Sequence, residues 1–351
     1  MTDRSSTTTG TSASVTGRIA VVGAGILGVR IARELLTPGA DARATTDGVT
    51  LVTRRRERRT QVATAFGEQA RVVLERDGVE RALANTDVST VVVAREVGAQ
   101  LDVARSQLDA GRHVVCTSDD ADEVRALLDL DELAAERGVR LFVGAAMSPG
   151  LSCLLVRHAA GALERVDEIH VSRHGAAGPA CARQRLRALR GTAVDWRDGA
   201  WVRRPGFSGR ELSWFPDPIG ARDCYRADLA EPALLVPSFP GVQRVTARLA
   251  ASRRDRAFAP FPVLVPPPDE GGIGAIRVEL RGQSGGERRA VIYGALDRPA
   301  VAGAAVAAVT ALHAGSSGTG ASGLAGVEDP LPLLVELARR GVRAAAFEPD
   351  T

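Results

Sequence analysis

From Arg18 onward, short apolar runs alternate with longer segments whose apolar residues recur at helical spacing. The runs RIAVV, GVTLVT, ARVVLE and STVVVA predict four strands, and HVVCTS and RLFVGAA predict two more before residue 146. ILGVRIARELL, from Ile26 to Leu36, predicts the first helix between them. Strands alternating with helices indicate a parallel sheet with crossover helices, and six such strands complete a doubly wound nucleotide-binding domain.

The pattern changes after MSPGLSCLLVRHAAGAL, which predicts one more helix behind a Pro-Gly turn. VDEIHVSR, QRVTARLAA, AIRVELRG and RAVIYG alternate apolar and polar residues, which is typical of strands with one solvated face. VDWRDGAWVRR predicts a hairpin that turns at Asp198 and Gly199. The predicted fold class is α/β, with an N-terminal doubly wound Rossmann domain and a C-terminal α/β domain built on an open antiparallel or mixed sheet.

These changes of pattern predict the domain boundaries. The predicted segments are a disordered leader over 1–17, a Rossmann domain over 18–150, a substrate or dimerisation domain over 151–313, a flexible linker over 314–323 and a C-terminal helix within 324–351. The leader has no apolar core, unlike a signal peptide or anchor, and the linker AGSSGTGASG is rich in Gly and Ser. Asp329 is the predicted N-cap of the last helix, which Gly341 ends and which we expect to pack back on the body.

Composition narrows the class of protein. The 351 residues are 45% apolar, enough for two cores, and the net charge of +3 argues against nucleic acid as a partner. Every Lys or Arg position is an arginine, which excludes a lysine Schiff base or proton donor. The four cysteines lack metal-ligand spacing and indicate free thiols in a reducing cytoplasm. VAGAAVAAVTAL is too short to span a bilayer, so we expect no membrane partner, while a homodimer stays open.

The strongest motif is VVGAGILG, in which Gly23, Gly25 and Gly28 have the GxGxxG spacing. The motif follows an apolar strand and opens an amphipathic helix, which is the context a dinucleotide-binding loop requires. Gly23 allows the tight turn, Gly25 lets the backbone approach a pyrophosphate, and Gly28 lets the helix pack on the strand. The alternative is a glycine-rich turn that binds nothing.

The end of the second strand bears on the choice between NAD and NADP. About 25 residues after Gly28, where a ribose-binding carboxylate is expected for NAD, the chain reads Thr53-Arg54-Arg55 and continues with more arginine. An arginine there can pair with a 2′-phosphate through its planar fork, so this segment favours NADP over NAD. The alternative is that RRRERR is the solvated start of a helix.

The remaining cofactor contacts are expected at the carboxyl ends of later strands, where ligands lie in an open parallel sheet. Ala94 and Arg95 follow the fourth strand, and Cys116 and Thr117 follow the fifth. For Cys116, a small buried thiol is favoured over redox chemistry. The complete predicted set is Gly23, Ala24, Gly25, Ile26, Leu27, Gly28, Thr53, Arg54, Arg55, Ala94, Arg95, Cys116 and Thr117.

With this fingerprint and two domains, the chain resembles the saccharopine dehydrogenase-like oxidoreductases, in particular an actinobacterial branch. The resemblance runs from AVVGAGILG through GAAMSPGLS, GPACARQ and WFPDPIGARDCYRA to LVELARRGVRAAAFE. AMSPGLS and FPDPIG are similar to the saccharopine reductase and lysine 6-dehydrogenase pattern. The resemblance implies a nicotinamide-dependent enzyme that acts on an amine, imine or amino-acid-derived substrate.

Two wider groups of relatives use a lysine that this chain lacks. The glucose-fructose and inositol dehydrogenase-like enzymes carry Glu-Lys-Pro after the fifth strand, where this sequence has CTSDD. Homoserine dehydrogenases also rely on a lysine near the reacting carbonyl. Neither mechanism is therefore expected here.

The second domain offers two clusters for the chemistry that accompanies hydride transfer. In SRHGAAGPACARQ, His174 could act as acid or base, and Arg173 and Arg183 could bind a substrate carboxylate; the alternative is a surface histidine in a loop. In WFPDPIGARDCYRA the candidates are Asp217 and Tyr225 for catalysis and Arg222 for substrate binding, set around a proline-constrained turn. The alternative there is a purely structural turn.

The sequence thus predicts a cytoplasmic NADP-dependent oxidoreductase. It would transfer hydride to or from a C=N or C=O carbon of a small amine- or amino-acid-derived substrate. Two alternatives stay open: a catalytically silent NAD(P)-binding regulatory or assembly protein, and a sugar or polyol dehydrogenase. The sugar or polyol dehydrogenase would be favoured if His174 and Asp217 lay together beside the nicotinamide.

Overall fold

A computed structural model describes residues 18–38, 46, 48–253, 255 and 271–347, so the predicted leader lies outside the described residues. The strands are β1 (Arg18–Val22), β2 (Val49–Thr53), β3 (Ala70–Leu74), β4 (Val88–Val93), β5 (His113–Cys116), β6 (Arg140–Phe142), β7 (Arg165–His174), β8 (Thr192–Arg197), β9 (Ala200–Pro205), β10 (Glu211–Trp214), β11 (Ala221–Arg226), β12 (Arg244–Ala250), β13 (Gly274–Ser284), β14 (Glu287–Asp297), β15 (Gly320–Ser322) and β16 (Arg343–Phe347). The α-helices are α1 (Ile26–Leu36), α2 (Arg56–Phe66), α3 (Val79–Leu83), α4 (Leu101–Asp109), α5 (Ala121–Leu128), α6 (Asp131–Glu136), α7 (Leu151–Ala160), α8 (Pro179–Arg190), α9 (Glu231–Leu235), α10 (Pro299–His313) and α11 (Leu331–Arg339).

The first sheet is parallel throughout, in the order β3-β2-β1-β4-β5-β6-β15. Its first six strands have the doubly wound order, which confirms the predicted Rossmann domain. The central strands β1, β2 and β4 are almost wholly buried because helices cover both faces. The sheet reverses its direction of winding between β1 and β4, so a ligand crevice is expected at the carboxyl ends of these two strands.

The second sheet runs in the order β10-β11-β12-β7-β13-β14-β16, with β8 and β9 attached to β12. Strands β7 and β12 are parallel and the other pairs are antiparallel, which confirms the predicted mixed sheet. Asp198 and Gly199 both have positive φ, 52° and 81°, in the two-residue turn between β8 and β9. This is the turn geometry that suits the right-handed twist of a hairpin, as the sequence predicted.

The predicted flexible linker over 314–323 is wrong. Residues 320–322 form β15, which extends the Rossmann sheet by pairing with β6. Asp131 accepts a hydrogen bond from the backbone of Ala321 at 2.6 Å, and the Arg140 guanidinium donates to Thr319 and Ser322. Backbone pairing with an open sheet edge orders this segment, and its Gly and Ser content does not reveal that edge.

The predicted boundary at 313 is also wrong, because α10 packs on α1 and on the Rossmann strands β4 and β5. By length and composition the segment Pro299–Ser316 could cross a membrane, but 67% of it is buried inside the protein. Its small apolar residues therefore serve as a core helix, which tertiary packing explains without a membrane.

The segment from Arg340 to Phe347 contacts both domains. Arg340, just after α11, donates to the backbone carbonyl of Glu34 at 2.6 Å and to its carboxylate at 3.0 Å, which fixes α11 against α1. Strand β16 then pairs with β14 in the second sheet. The sequence predicted the helix but not the strand, because the strand residues RAAAF have no alternating pattern.

Candidate active site

A cavity of about 520 Å³ lies where the two domains meet, at the carboxyl ends of β1, β4 and β5. A volume of this size suits a small ligand or part of a dinucleotide. Among the lining residues are Gly25, Ile26, Leu27, Ala94, Arg95, Glu96, Thr117, Ser118, Asp119, Ala146, Met147, Ser148, Arg173, His174, Cys181, Arg183, Gln184, Arg185, Arg187 and Gly303. Both domains therefore contribute to one site.

The glycine loop forms one wall of this cavity, and each glycine meets a different requirement. Gly23 has φ +120°, and a Cβ added there would lie 2.3 Å from the carbonyl oxygen of Ala94. A Cβ at Gly28 would lie 1.8 Å from the carbonyl oxygen of Gly23. At Gly25, the N-cap of α1, a Cβ would meet no described atom within 4 Å. Gly23 and Gly28 are needed for packing, whereas Gly25 leaves open the space that a pyrophosphate would enter.

The start of α1 also suits an anion. The N-cap makes no side-chain hydrogen bond to the first turn, and that turn carries no acidic residue. Its backbone N–H groups are therefore available, and the helix dipole favours negative charge at this end. Together with the open space at Gly25, this arrangement fits the pyrophosphate of a nicotinamide dinucleotide.

The arginine run lies beside the glycine loop but outside the cavity. Arg54 and Arg55 are exposed between β2 and α2, and Thr53 is buried with its hydroxyl 3.4 Å from the backbone nitrogen of Arg55. The Arg58 Nε donates to the carbonyl of Ala24 at 2.7 Å. One arginine of the run thus supports the loop, while Arg54 and Arg55 are exposed at the end of β2.

Substitution of Arg58 by alanine is expected to weaken dinucleotide binding about three- to tenfold. The hydrogen bond to Ala24 orders the loop before the ligand arrives, and its loss adds about 1 kcal/mol of ordering cost to binding. Fluorescence titration with NADPH measures the effect, and Arg59→Ala serves as the matched control because Arg59 is exposed on the same helix. An equal effect of both substitutions would assign the loss of affinity to net charge, and would contradict the role of Arg58 in ordering the glycine loop.

The loops after β4 and β5 are held together by one side chain. Gln100 donates to the carbonyl of Arg95 at 2.9 Å and accepts from the backbone nitrogen of Thr117 at 3.0 Å. Ala94, Arg95 and Thr117 line the cavity, and Arg95 forms an ion pair with Glu75. Burial lowers the pKa of Arg95, and the nearby charge of Arg54 lowers it further while Glu75 opposes the shift.

The side chain of Cys116 does not line the cavity. Its side chain is fully buried below the cavity floor, and burial raises the pKa of its thiol far above the ordinary value. Cys116 ends β5 beside the cavity, but the pleat of the strand directs its side chain into the core. The structure shows the small buried thiol that the sequence analysis favoured.

The first cluster predicted in the second domain is brought to the cavity. Arg173 and His174, at the end of β7, and Arg183, on α8, all line it. Burial lowers the pKa of His174, and the positive charges of Arg185 and Arg222 lower it further. His174 is therefore a neutral imidazole at neutral pH, and its Nδ1 makes no hydrogen bond within the described ranges.

The second predicted cluster does not line the cavity. Asp217 is exposed in the β10–β11 turn, and Arg222 is exposed and donates to the carbonyl of Ala221 at 2.8 Å. The ring of Tyr225 packs edge to face on Phe207, with the centroids 5.9 Å apart. The proline-rich segment builds a hairpin turn, as its structural alternative stated, so the predicted catalytic and substrate roles of Asp217, Tyr225 and Arg222 have no support. His174 and Asp217 do not meet in the cavity.

Several cavity residues were absent from the predictions. Gln184 on α8 donates to Asp120 of the Rossmann domain at 2.6 Å, and Arg185 binds Asp255 through two hydrogen bonds of 2.9 and 3.1 Å. Burial would raise the pKa of Asp255, but Arg185 outweighs it and lowers the value to about 2. The sequence does indicate Asp119, since it belongs to the CTSDD segment after the fifth strand, where cavity residues are expected. The others lie on helix faces that the sequence did not relate to the site.

Comparison with known proteins agrees with this geometry. Residues 17–145 match the profile of the GFO/IDH/MocA oxidoreductase family with an NAD-binding Rossmann fold. Saccharopine dehydrogenase (L-Glu forming) from Saccharomyces cerevisiae has a similar structure, with a TM-score of 0.68 at 13% identity over 95% of this chain and 100% of that chain. Diaminopimelate dehydrogenase of Corynebacterium glutamicum gives a TM-score of 0.47 at 17% identity, over 93% and 99% of the two chains. No curated protein matches the chain significantly.

The fold and the nucleotide loop define the class: the protein is an NAD(P)-dependent oxidoreductase. Its residues 17–145 are similar to the Rossmann domain of the GFO/IDH/MocA oxidoreductases. The similarity to the yeast saccharopine dehydrogenase covers both domains, which confirms the predicted resemblance at the level of the fold.

Proposed function

We propose that the protein is an NADP-dependent oxidoreductase that transfers hydride to or from a C=N or C=O carbon of a small, carboxylate-bearing, amine- or amino-acid-derived substrate. One observation carries the proposal: a single cavity runs from the glycine loop to the cationic face of α8. A dinucleotide on the loop and an anionic substrate on α8 would then meet within it.

The cofactor would be held by the chain's own backbone and arginines. The bound nicotinamide supplies or accepts the hydride. Gly25 and the N-terminus of α1 bind the pyrophosphate, and Arg54 and Arg55 bind the 2′-phosphate that distinguishes NADP from NAD. Thr53 replaces the carboxylate that would repel this phosphate, so the end of β2 supports NADP.

Arg183 and Arg187 would hold the substrate carboxylate. They are four residues apart on α8, so both lie on one face of the helix, and both line the cavity. Neither guanidinium has a hydrogen-bond or ion-pair partner in the described part of the chain. Such arginines favour a carboxylate through paired hydrogen bonds, and His174 and Asp119 are nearby titratable groups able to exchange a proton with the substrate.

The first test is a fluorescence titration of NADPH and NADH against the native chain and an Arg54→Ala/Arg55→Ala variant. We expect NADPH to bind more tightly than NADH to the native chain, and the variant to lose at least about tenfold in NADPH affinity, because charge-assisted hydrogen bonds contribute about 1.5–3 kcal/mol each. NADH affinity should change little. Equal binding of both cofactors, unchanged in the variant, would overturn the assignment of NADP.

A second measurement separates an enzyme from a silent cofactor-binding protein. NADPH consumption is followed with paired keto acids, with and without ammonium, and NADP reduction with the matching amino acids and hydroxy acids. The proposed function predicts turnover with a carboxylate-bearing compound and its loss in Arg183→Met/Arg187→Met. NADPH binding without consumption across these panels would favour the silent alternative.

A further inference from the structure

A buried group of charges lies at the floor of the cavity, and four segments contribute to it. It consists of Asp119 after β5, Ser148 after β6, Arg173 at the end of β7 and Glu231 at the start of α9; we call it the Arg173 cluster. Arg173 Nη1 donates to the Ser148 carbonyl at 2.7 Å and lies 3.3 Å from Asp119 Oδ2. The Ser148 hydroxyl donates to Glu231 Oε1 at 2.5 Å.

The cluster has more acidic than basic groups. Two carboxyl groups, Asp119 and Glu231, face the single guanidinium of Arg173. Glu231 is completely buried, and its Oε2 has no hydrogen-bond partner among the described residues. The Asp119 side chain is 18% exposed and lines the cavity. Two buried carboxylates beside one cation are costly, so one of the two carboxyl groups keeps a proton.

The geometry distinguishes the two carboxyl groups. The 3.3 Å separation between Arg173 and Asp119 is longer than the roughly 2.7–2.9 Å of a strong charge-assisted hydrogen bond. Burial opposes the charge of Arg173, but Glu231 first and Asp119 second outweigh it and raise the pKa of the guanidinium. Asp119 lines the cavity and is partly exposed, whereas Glu231 is completely buried, so Asp119 is the carboxyl group whose proton a ligand in the cavity can reach.

The groups that surround Asp119 also favour its protonated form. Burial raises the pKa of Asp119; Arg173 opposes this shift, and the charges of Glu231 and Asp120 add to it. The Cys181 thiol of α8 also faces Asp119, but burial first and Asp119 second raise its pKa to about 11, so it stays neutral. His174, in contrast, has a lowered pKa and holds no additional proton at neutral pH.

We infer that Asp119 is the catalytic acid and base of the reaction, and that Glu231 is a positioning residue that keeps the proton on Asp119. In the reducing direction the Asp119 O–H bond breaks, and its proton goes to the substrate nitrogen or oxygen. That atom receives the electron pair of the C=N or C=O bond as its carbon accepts the hydride. The carbon is reduced at the expense of the nicotinamide, and Asp119 becomes a carboxylate. The inference rests on the proposed function.

The protonation of Asp119 can be measured without turnover. Full-length protein is labelled with ¹³C at the aspartate carboxyl carbons, and the resonance lost in Asp119→Asn is titrated by NMR. We expect a midpoint above the ordinary value of about 3.9, and a lower midpoint in Glu231→Gln. Glu96→Gln, a cavity carboxylate outside the cluster, should leave it unchanged. A midpoint at or below the ordinary value would overturn the inference; if Asp119→Asn does not fold, Asp119→Glu identifies the resonance.

Single-turnover NADPH oxidation with the most active keto acid of the panel, with or without ammonium, tests the catalytic role. Asp119→Asn should lower the rate at least about 100-fold with unchanged NADPH affinity, and Glu231→Gln should move the alkaline limb of the pH profile to lower pH. A large loss in His174→Gln with none in Asp119→Asn would overturn the inference and assign the proton to His174. If the native chain binds NADPH but consumes none, the proposed function fails and the catalytic role fails with it. The NMR titration still decides whether Asp119 holds a proton.

Discussion

Gly25→Ala is expected to leave the protein folded and to weaken NADPH binding by at least about 30-fold, or roughly 2 kcal/mol. An added Cβ meets no described atom within 4 Å, and Gly25 has φ −76°, which alanine adopts without strain. The free energy of unfolding should therefore change by less than about 1 kcal/mol. The same methyl group would fill the space into which a pyrophosphate must come to reach the backbone N–H groups of α1.

Gly28→Ala is the matched control for this prediction. Its Cβ would lie 1.8 Å from the carbonyl oxygen of Gly23, so α1 must move away from β1 and stability should fall together with binding. Denaturant unfolding and NADPH titration of both variants separate the two effects. Unchanged NADPH affinity in Gly25→Ala would show that the pyrophosphate does not lie on this loop.

Arg173→Met is expected to lower the free energy of unfolding by about 3–5 kcal/mol, because it leaves buried carboxyl groups without their cation. The side chain of Arg173 is 9% exposed, and Asp119 and Glu231 both depend on its charge. The loss should grow as the pH rises. Burial raises the folded-state pKa of Asp119 above its unfolded value, and removal of the Arg173 charge that opposes this shift raises it further, so the folded state must give up this proton at high pH at a cost in stability.

Denaturant unfolding between about pH 5 and pH 8 measures this loss. The double variant Arg173→Met/Glu231→Gln should recover part of the stability, since it removes one of the two buried carboxyl groups that Arg173 faces. Arg187→Met provides a comparison, because Arg187 lines the same cavity but is exposed and should affect stability little. A loss below about 1 kcal/mol with no dependence on pH would mean that the carboxyl groups are solvated.

The Rossmann domain was largely predictable because its signals are local. Apolar runs such as RIAVV are buried on both faces, and the glycines stand at the junction of the first strand and helix where the backbone requires them. The hairpin at Asp198 and Gly199 was predictable for the same reason, since two adjacent residues determine the turn.

The site was only half predictable. Arg173, His174 and Arg183 were found because they follow a strand end and a glycine-rich turn, and they do line the cavity. Asp217 looked equally well placed in sequence, yet its proline-flanked segment turns a hairpin away from the cavity. Both segments carry charged residues beside a turn, and only the packing of the second sheet distinguished them.

By itself, the sequence determined the α/β class, the dinucleotide loop and the absence of any lysine chemistry, because these depend on residue type and on neighbours a few positions apart. Only the tertiary structure decided that α10 and β15 complete the Rossmann domain and that Asp119, Ser148, Arg173 and Glu231 meet at one point. Burial gives that cluster its properties, since an aspartate holds a proton only where water is excluded and other charges are close. Both conditions arise from packing between segments up to 112 positions apart, and periodicity within a segment does not encode them.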